Sequence, residues 1–420
     1  MLLGLCLLAL CIGLPWALMS GAGTSTASKA PAATRTTTAA ALATGQGVDV
    51  IESGTTAVVP AAYKSAKSAP ASAAARKTAA AKSSVTAKPT SAAADTPAPA
   101  TGTSAVASSG LVGFSAPALL DQSSSVQIQQ FEQMKAMGMT TVRFDADWYY
   151  GEPSSGTYDW RALDVIMASI QKVGLTADMI IDGCPPWAAA PGGSGIFEQP
   201  ASPAAFGSWA AAVAARYSGE GARVFEIWNE PNLPAFWTPS PNPAAYTADL
   251  QAAYSAIKAV DSSAIVISGG LSPADNTSGA YDPVTFLQDM YADGAQGYFD
   301  GVGDHPYSYP FTPADESQGA WGEMGETSPS LRSLMAAHGD SAKKIWITEY
   351  GAPTTGSNAV SETDQSTEIV DALTEARQTS WIASFYIYTW SDQFSDDGFG
   401  VLDSSGGQKP AYSAVAALTS

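Results

Sequence analysis

Cysteine is scarce in this chain: its 420 residues hold three, and two of them, Cys6 and Cys11, sit in an N-terminal apolar run. Cys184 is therefore alone in the remainder, which excludes an intrachain disulfide there and any cysteine-rich metal site. Positive charge is also short, with 20 lysines and arginines against 39 aspartates and glutamates, a net charge of −19. A nucleic-acid binder that works by neutralising phosphates needs the opposite balance, so no nucleic-acid partner is expected. The shortage is uneven. Residues 22–109 carry 8 basic and 3 acidic side chains, net +5, which leaves −24 for residues 110–420. Such a field repels polyanions at long range and tolerates neutral or cationic substrates, although it bears on encounter rather than on chemistry.

The basic stretch also lacks aromatic residues, with Tyr63 its only one, and is dominated by Ala, Ser, Thr, Lys and Pro without a sustained helical or strand period. It cannot bury enough apolar area to offset its ordering entropy, so residues 23–109 are expected to be a disordered, flexible tether. Ahead of it, residues 2–19 are almost unbroken in apolar character, the length of a secretory h-region or of a short membrane span. No Lys or Arg precedes this run, and the first basic residue is Lys29, while Pro15 and the following Ser20, Gly21 and Ala22 resemble a cleavable signal. Residues 1–22 are read as a signal peptide or an uncleaved membrane anchor. Either places the bulk of the protein outside the cytoplasm, secreted or associated with the cell envelope. Cys6 and Cys11 each follow a leucine rather than a small residue, so lipid attachment is not expected.

What is plentiful is apolar: 45% hydrophobic residues and 11 tryptophans exclude a wholly disordered chain. From Leu111 on, short β-rich runs at 111–114, 141–145, 175–181, 224–228, 265–268, 301–304, 344–348 and 382–389 alternate with helix-like segments. The helices are expected at 126–137, 161–173, 203–217, 243–260, 283–292, 329–338, 362–378 and 411–418, several opening on a proline whose missing N–H costs nothing in the first turn. Eight strands, each followed by a helix, is the count of an α/β fold of the (β/α)8 TIM barrel type over residues 110–420. A doubly wound open sheet gives the same alternation, but it concentrates its site at one crevice. Here polar and aromatic clusters follow most strand ends: Arg143 and Asp145, Cys184-Pro185-Pro186-Trp187, Asn229-Glu230, His305-Pro306-Tyr307, Glu349-Tyr350 and Trp390. A barrel assembles its site from several strand ends at once.

Trp228-Asn229-Glu230-Pro231-Asn232 ends the fourth strand and Ile347-Thr348-Glu349-Tyr350-Gly351 the seventh. Cleaving a glycosidic bond with retention needs two carboxyl groups about 5–5.5 Å apart, one as nucleophile and one as acid then base. Two glutamates 119 residues apart meet at that distance only if the fold brings strands four and seven to one opening, as a closed barrel does.

These motifs resemble clan A of the glycoside hydrolases, the retaining "4/7" barrels. With Asp304-His305-Pro306-Tyr307 and Thr348-Glu349-Tyr350-Gly351 added, the chain is similar to glycoside hydrolase family 39 and related bacterial exopolysaccharide hydrolases, with family 5 cellulase-like proteins next. The resemblance covers about residues 110–420, through Gly400-Val401-Leu402-Asp403 and Lys409-Pro410-Ala411-Tyr412, and makes that segment a glycoside hydrolase domain. It implies Glu230 as the acid/base, protonated at the start, and Glu349 as the ionised nucleophile. It further implies that Asn229 bonds the sugar 2-hydroxyl, Arg143 pairs with Glu349, Tyr307 holds Glu349, and His305 contacts the sugar or the acid/base. Trp390 would floor the subsite of the reacting sugar, and Trp187, Trp148 and Trp237 would extend the stacking surface. The chain departs from many clan members in carrying Cys184-Pro185-Pro186-Trp187 where they have a histidine after strand three.

Plainer roles are expected elsewhere. Trp160, Trp209, Trp346 and Trp381 are assigned to packing, His338 to a helix end, and Cys184 to a small buried space. Asp392, Asp396 and Asp397 match no calcium loop and are read as a solvated loop. Asp145 and Asp147 either line the groove or cap the next segment. The expected function is hydrolysis of β-glycosidic bonds in an extracellular polysaccharide or oligosaccharide. Endo-cleavage is favoured, because no β-sandwich of the family 39 exo type follows the eighth helix. A catalytically silent carbohydrate-binding barrel and a transglycosylase using the same residues are the alternatives. No cofactor and no metal are implied, and the acidic surface favours a monomer.

Overall fold

A computed structural model describes residues 110–192, 195–315, 319–395 and 397–419. The signal or anchor at 1–22, the tether at 23–109 and Asp396 lie outside the described residues. In chain order the elements are β1 Leu111–Ser115, α1 Ser124–Ala136, β2 Thr141–Asp147, α2 Trp148–Gly151, α3 Arg161–Val173, β3 Thr176–Asp182, α4 Pro203–Tyr217, β4 Ala222–Ile227 and α5 Pro243–Val260. There follow β5 Ile265–Ser268, α6 Pro283–Ala292, β6 Gly301–Asp304, α7 Ala320–Glu323, α8 Leu331–Ala337, β7 Lys344–Tyr350, α9 Glu362–Gln378, β8 Ile382–Tyr388 and α10 Pro410–Thr419. All eight strands are parallel and pair in sequence order, and β8 returns to β1 to close the barrel. No helix among the described residues is long and apolar enough to cross a membrane.

Local chemistry starts the helices. Ser202, Asn242 and Asp282 each accept the amide of the third helical residue, and each is followed by a proline in the first turn of α4, α5 and α6. Strand alternation then sorts the side chains. On β4, Phe225 and Ile227 pack outward in the main core beneath the helices, while Val224 packs in the barrel interior with Ile267 and Trp346. Leu111, Ile265 and Ala383 complete this apolar floor. Toward the C-terminal strand ends the interior turns polar, with Arg143, Asp178, Glu226 and Thr348 all buried.

Among the boundaries that differ from expectation, three have a clear local reason. β2 runs on to Asp147, whose side chain accepts the Tyr149 amide at 2.9 Å and starts the short α2, so Asp147 is a helix cap. β4 stops at Ile227 because Trp228 adopts φ 70° and Glu230 φ 47°, left-handed backbone that strained non-glycine residues enter where a turn demands it. α8 begins after Ser330, not at Pro329: Ser330 Oγ accepts the Ser333 amide while Ser333 Oγ accepts the Ser330 amide, a reciprocal cap.

The packing assignments agree with the structure. Trp160 and Trp209 stack at 5.2 Å between centroids, and Trp346 lies in the barrel floor. His338 caps the C-terminus of α8 and stacks on Tyr291 at 4.1 Å. Asp392 departs from the solvated-loop reading: it pairs with the buried Lys409 at 2.8 Å, which ties the loop after β8 to the start of α10.

Candidate active site

The site begins with how β4 ends. Trp228 donates its indole N–H to the Phe236 carbonyl at 2.6 Å, and the buried Asn232 amide donates to the carbonyls of Ser272 and Tyr281 while accepting the Ser272 amide. The loop is pinned at both ends, and the Glu230 amide itself donates to Gly270. Across the mouth, Glu349 near the end of β7 receives Arg143 Nη1 at 2.6 Å, Ser115 Oγ at 3.2 Å and the Tyr307 hydroxyl at 2.8 Å. His305, one residue past β6, places Nδ1 2.9 Å from Glu230 Oε1 and 3.7 Å from Glu349 Oε2. Glu230, His305 and Glu349 thus bring an oxygen or nitrogen each to within 4.8 Å of one another.

Three such atoms could in principle hold a cation. Here Glu349 already faces a guanidinium and a phenol proton, so the trio is built to hold charge and protons on protein groups. Arg143 has five N–H donors, and all five are taken: Nε and Nη2 grip Glu226, Nη1 takes Ser115 and Glu349, and the remaining Nη2 proton goes to Asn229 Oδ1. Burial works against its charge, but Glu226 and Glu349 outweigh that and hold the guanidinium more firmly protonated than usual. Burial first, and then the charge of Glu349, push the Tyr307 hydroxyl well above its ordinary range, so it stays a donor. Burial likewise pushes up the Cys184 thiol, which is no nucleophile.

Asn229, Arg143, His305 and Tyr307 therefore converge on the two glutamates. The tryptophans mostly do not. Trp148, Trp237 and Trp390 are fully buried: Trp148 packs on Phe206, Trp237 on Trp228 and Tyr246, and Trp390 on Phe114 and Tyr412. The expected stacking faces of these three are covered by core side chains, which corrects their assignment as sugar platforms. Trp187 alone of the four is open, at 39% exposure, with its indole N–H fixed to the Glu152 carbonyl at 2.8 Å.

Three residues of the site escaped the sequence analysis: Glu226, Ser115 and Thr348. The signal for Glu226 was a charged residue in the apolar second half of β4, on its inward face and four positions before Glu230. A close backbone approach also went unseen. A Cβ at Gly270 would collide with His305 Nε2 and Thr348 Oγ1, so only glycine leaves room for that contact.

No curated protein matches the chain. Among solved structures it is similar to a family 39 glycoside hydrolase from the gut symbiont Bacteroides cellulosilyticus WH2, with TM-score 0.57 and 22% identity, over 70% of this chain and 60% of that one. A GH39 β-xylosidase from Caulobacter crescentus aligns with TM-score 0.54 and 22% identity, over 73% and 71% of the two chains. A GH5_18 protein from Bifidobacterium longum subsp. infantis aligns with TM-score 0.51 and 18% identity, over 73% and 78%. At these identities the likeness is one of fold, and the chain spans less than two thirds of the first of them. The sequence model of cellulase, glycosyl hydrolase family 5, matches residues 101–386, more than half of the chain. With its eight-stranded barrel, a glutamate just after strand four and another at the end of strand seven, the chain belongs to the cellulase family, glycosyl hydrolase family 5, within clan A.

Proposed function

We propose that this protein is a retaining glycoside hydrolase that cleaves β-glycosidic bonds of an extracellular polysaccharide, acting within the chain as a monomer that is secreted or held at the cell envelope. The observation that carries the reading is the approach of Glu230 and Glu349 to within 4.8 Å at the mouth of the barrel. Retention by a covalent route uses carboxyl groups about 5–5.5 Å apart, whereas inversion needs about 6.5–9.5 Å to seat a water.

In this scheme Glu349 attacks the anomeric carbon and forms a glycosyl ester, while Glu230 gives its proton to the departing oxygen. Glu230 then takes a proton from water, which attacks the ester and frees Glu349. Arg143 and Tyr307 hold one oxygen of Glu349 each, which keeps the nucleophile ionised and aimed. The Asn229 carbonyl oxygen is occupied by Arg143, which turns the amide nitrogen into the donor for a sugar 2-hydroxyl. Trp187 supplies an open aromatic face for a neighbouring sugar.

The test is a digest of xylan, β-glucans, mannans, galactosaminoglycans and microbial exopolysaccharides with the full chain and with Glu349→Gln. Released reducing ends are counted, and the anomer first formed is read by proton NMR. Activity that vanishes in the variant, with a β-anomer first and a rapid fall in polymer length, is the expected result. An α-anomer first, or a variant as active as the parent, would refute the mechanism. Glycan binding without cleavage by either protein would instead favour a binding barrel.

A further inference from the structure

We propose that Glu226 is a positioning residue for both carboxylates at the mouth, holding Glu349 through Arg143 and Glu230 through Thr348 and His305. This rests on the assignment of Glu230 and Glu349 as the reacting pair. Glu226 is fully buried on the inward face of β4 and touches neither of them in any bond described. Its reach is indirect and two-armed.

The first arm is an ion pair. Glu226 Oε2 meets Arg143 Nε at 2.6 Å and Oε1 meets Nη2 at 3.0 Å, and the same guanidinium passes Nη1 to Glu349 Oε1 at 2.6 Å. A fork gripped on one edge by Glu226 presents its other edge to Glu349 in one orientation only. The second arm is a chain of neutral donors. Thr348 Oγ1 donates to Glu226 Oε1 at 3.2 Å, so its single proton is used and it can only accept from His305 Nε2, 3.0 Å away. Arg143 Nη2, 3.5 Å from that nitrogen, has already given both protons to Glu226 and Asn229. The network therefore puts the ring proton on Nε2. When the ring is neutral, Nδ1 is then an acceptor, and the proton of its 2.9 Å bond with Glu230 is supplied by Glu230. That is the protonation state an acid needs. The Gly270 amide, donating to Glu226 Oε1 at 2.8 Å, fixes the carboxylate that anchors both arms.

The charges around Glu226 are few. Arg143 on β2 faces it, with Asp178 on β3, Tyr386 on β8 and Tyr246 on α5 within its electrostatic reach, and His305 beyond Thr348. Burial above all keeps Asp178, Tyr386 and Tyr246 in their protonated forms near neutrality. Glu349 in turn faces Arg143, Tyr307, His305 and Glu230. One guanidinium is thus shared between two carboxylates, and removing the charge of Glu226 leaves it to Glu349 alone.

The experiment uses the full chain and the variants Glu226→Gln, Thr348→Val and Thr348→Ser. For each, kcat and KM are followed against pH, and the side-chain carboxyls of protein labelled with carbon-13 at glutamate Cδ are titrated by NMR. Glu226→Gln should lower kcat at least tenfold with KM within about threefold, since Glu226 touches no substrate. It should also move both limbs of the pH profile down by about one unit, because a buried negative charge in the network becomes a neutral amide and the shared guanidinium is left to Glu349 alone. Thr348→Val cuts only the second arm, frees the ring to donate to an ionised Glu230, and should lower the alkaline limb while the acid limb stays. Thr348→Ser restores it. Loss of activity with both limbs unmoved would show a packing role alone, and any pattern in which the arms do not separate overturns the assignment. If Glu226→Gln does not fold, the threonine pair still decides. A parent chain that hydrolyses no glycan at any pH refutes the glycosidase reading instead, and the carboxyl titration still reports on the network.

Discussion

Replacing Arg143 separates its charge from its shape. Arg143→Lys keeps one positive charge but offers three donors at a single point, against five in a fork that are all engaged. At least two charge-assisted bonds are lost, each about 1.5–3 kcal/mol, so the variant should be about 3–6 kcal/mol less stable. Arg143→Met removes the charge and leaves Glu226 and Glu349 uncompensated in a buried site, a loss of about 3–5 kcal/mol. In a domain of this size each kcal/mol moves Tm by roughly 2–4 °C, so both variants should melt about 6–24 °C lower at pH 7. They part in their pH profiles. A unit charge about 4 Å away in an effective dielectric of about 20 is worth roughly 4 kcal/mol, an upper bound of about three pH units on the ionisation of Glu349. Arg143→Met should therefore raise the acid limb of kcat/KM by one to three units and recover activity as pH rises, while Arg143→Lys leaves that limb within about half a unit. Thermal denaturation and kcat/KM from pH 4 to 9 read both effects. Melting within 2 °C of the parent, or an acid limb in Arg143→Met that does not move, would refute the picture of a guanidinium that holds the nucleophile ionised.

If the open indole face of Trp187 serves as the proposed sugar platform away from the reacting bond, Trp187→Ala should raise KM on a polymeric substrate about tenfold while changing kcat less than about threefold. Asp249 on α5 is buried with Oδ1 unpartnered, and burial lifts its carboxyl from the ordinary range to about 8. A raised carboxyl adds stability below the unfolded value near 4 and loses it as pH climbs toward 8. Asp249→Asn should therefore match the parent in Tm at pH 4 and exceed it increasingly up to pH 9, by on the order of a few kcal/mol; a difference independent of pH would show that Asp249 is already ionised in the fold.

The eightfold alternation and the two glutamates could be read from sequence because both are local signals: a period of two or of about 3.6, and a carboxylate following an apolar run. Arg143, Asn229, His305 and Tyr307 were found because they lie at strand ends and resemble a known arrangement. Glu226 was not, since its meaning comes from a contact 83 residues away in the chain. The tryptophans failed for another reason. A sequence shows that Trp148 and Trp390 sit near strand ends and Trp237 in the loop after β4, but local backbone rotation decides between the mouth and the core, and here all three are buried in the core. The end of β4 was misplaced by one residue because nothing in the side chain of Trp228 announces a positive φ.

β1 gives the barrel a polarity that matters for handling it. Leu111 packs on the apolar floor and Ser115, four residues on, donates to Glu349 at the mouth, so the strand crosses the barrel from pole to pole in about 13 Å. The polypeptide thus enters at the pole opposite the reacting groups. A bead or fusion partner joined directly at Gly110 would therefore meet the barrel at the pole away from Glu230 and Glu349 and leave that opening free.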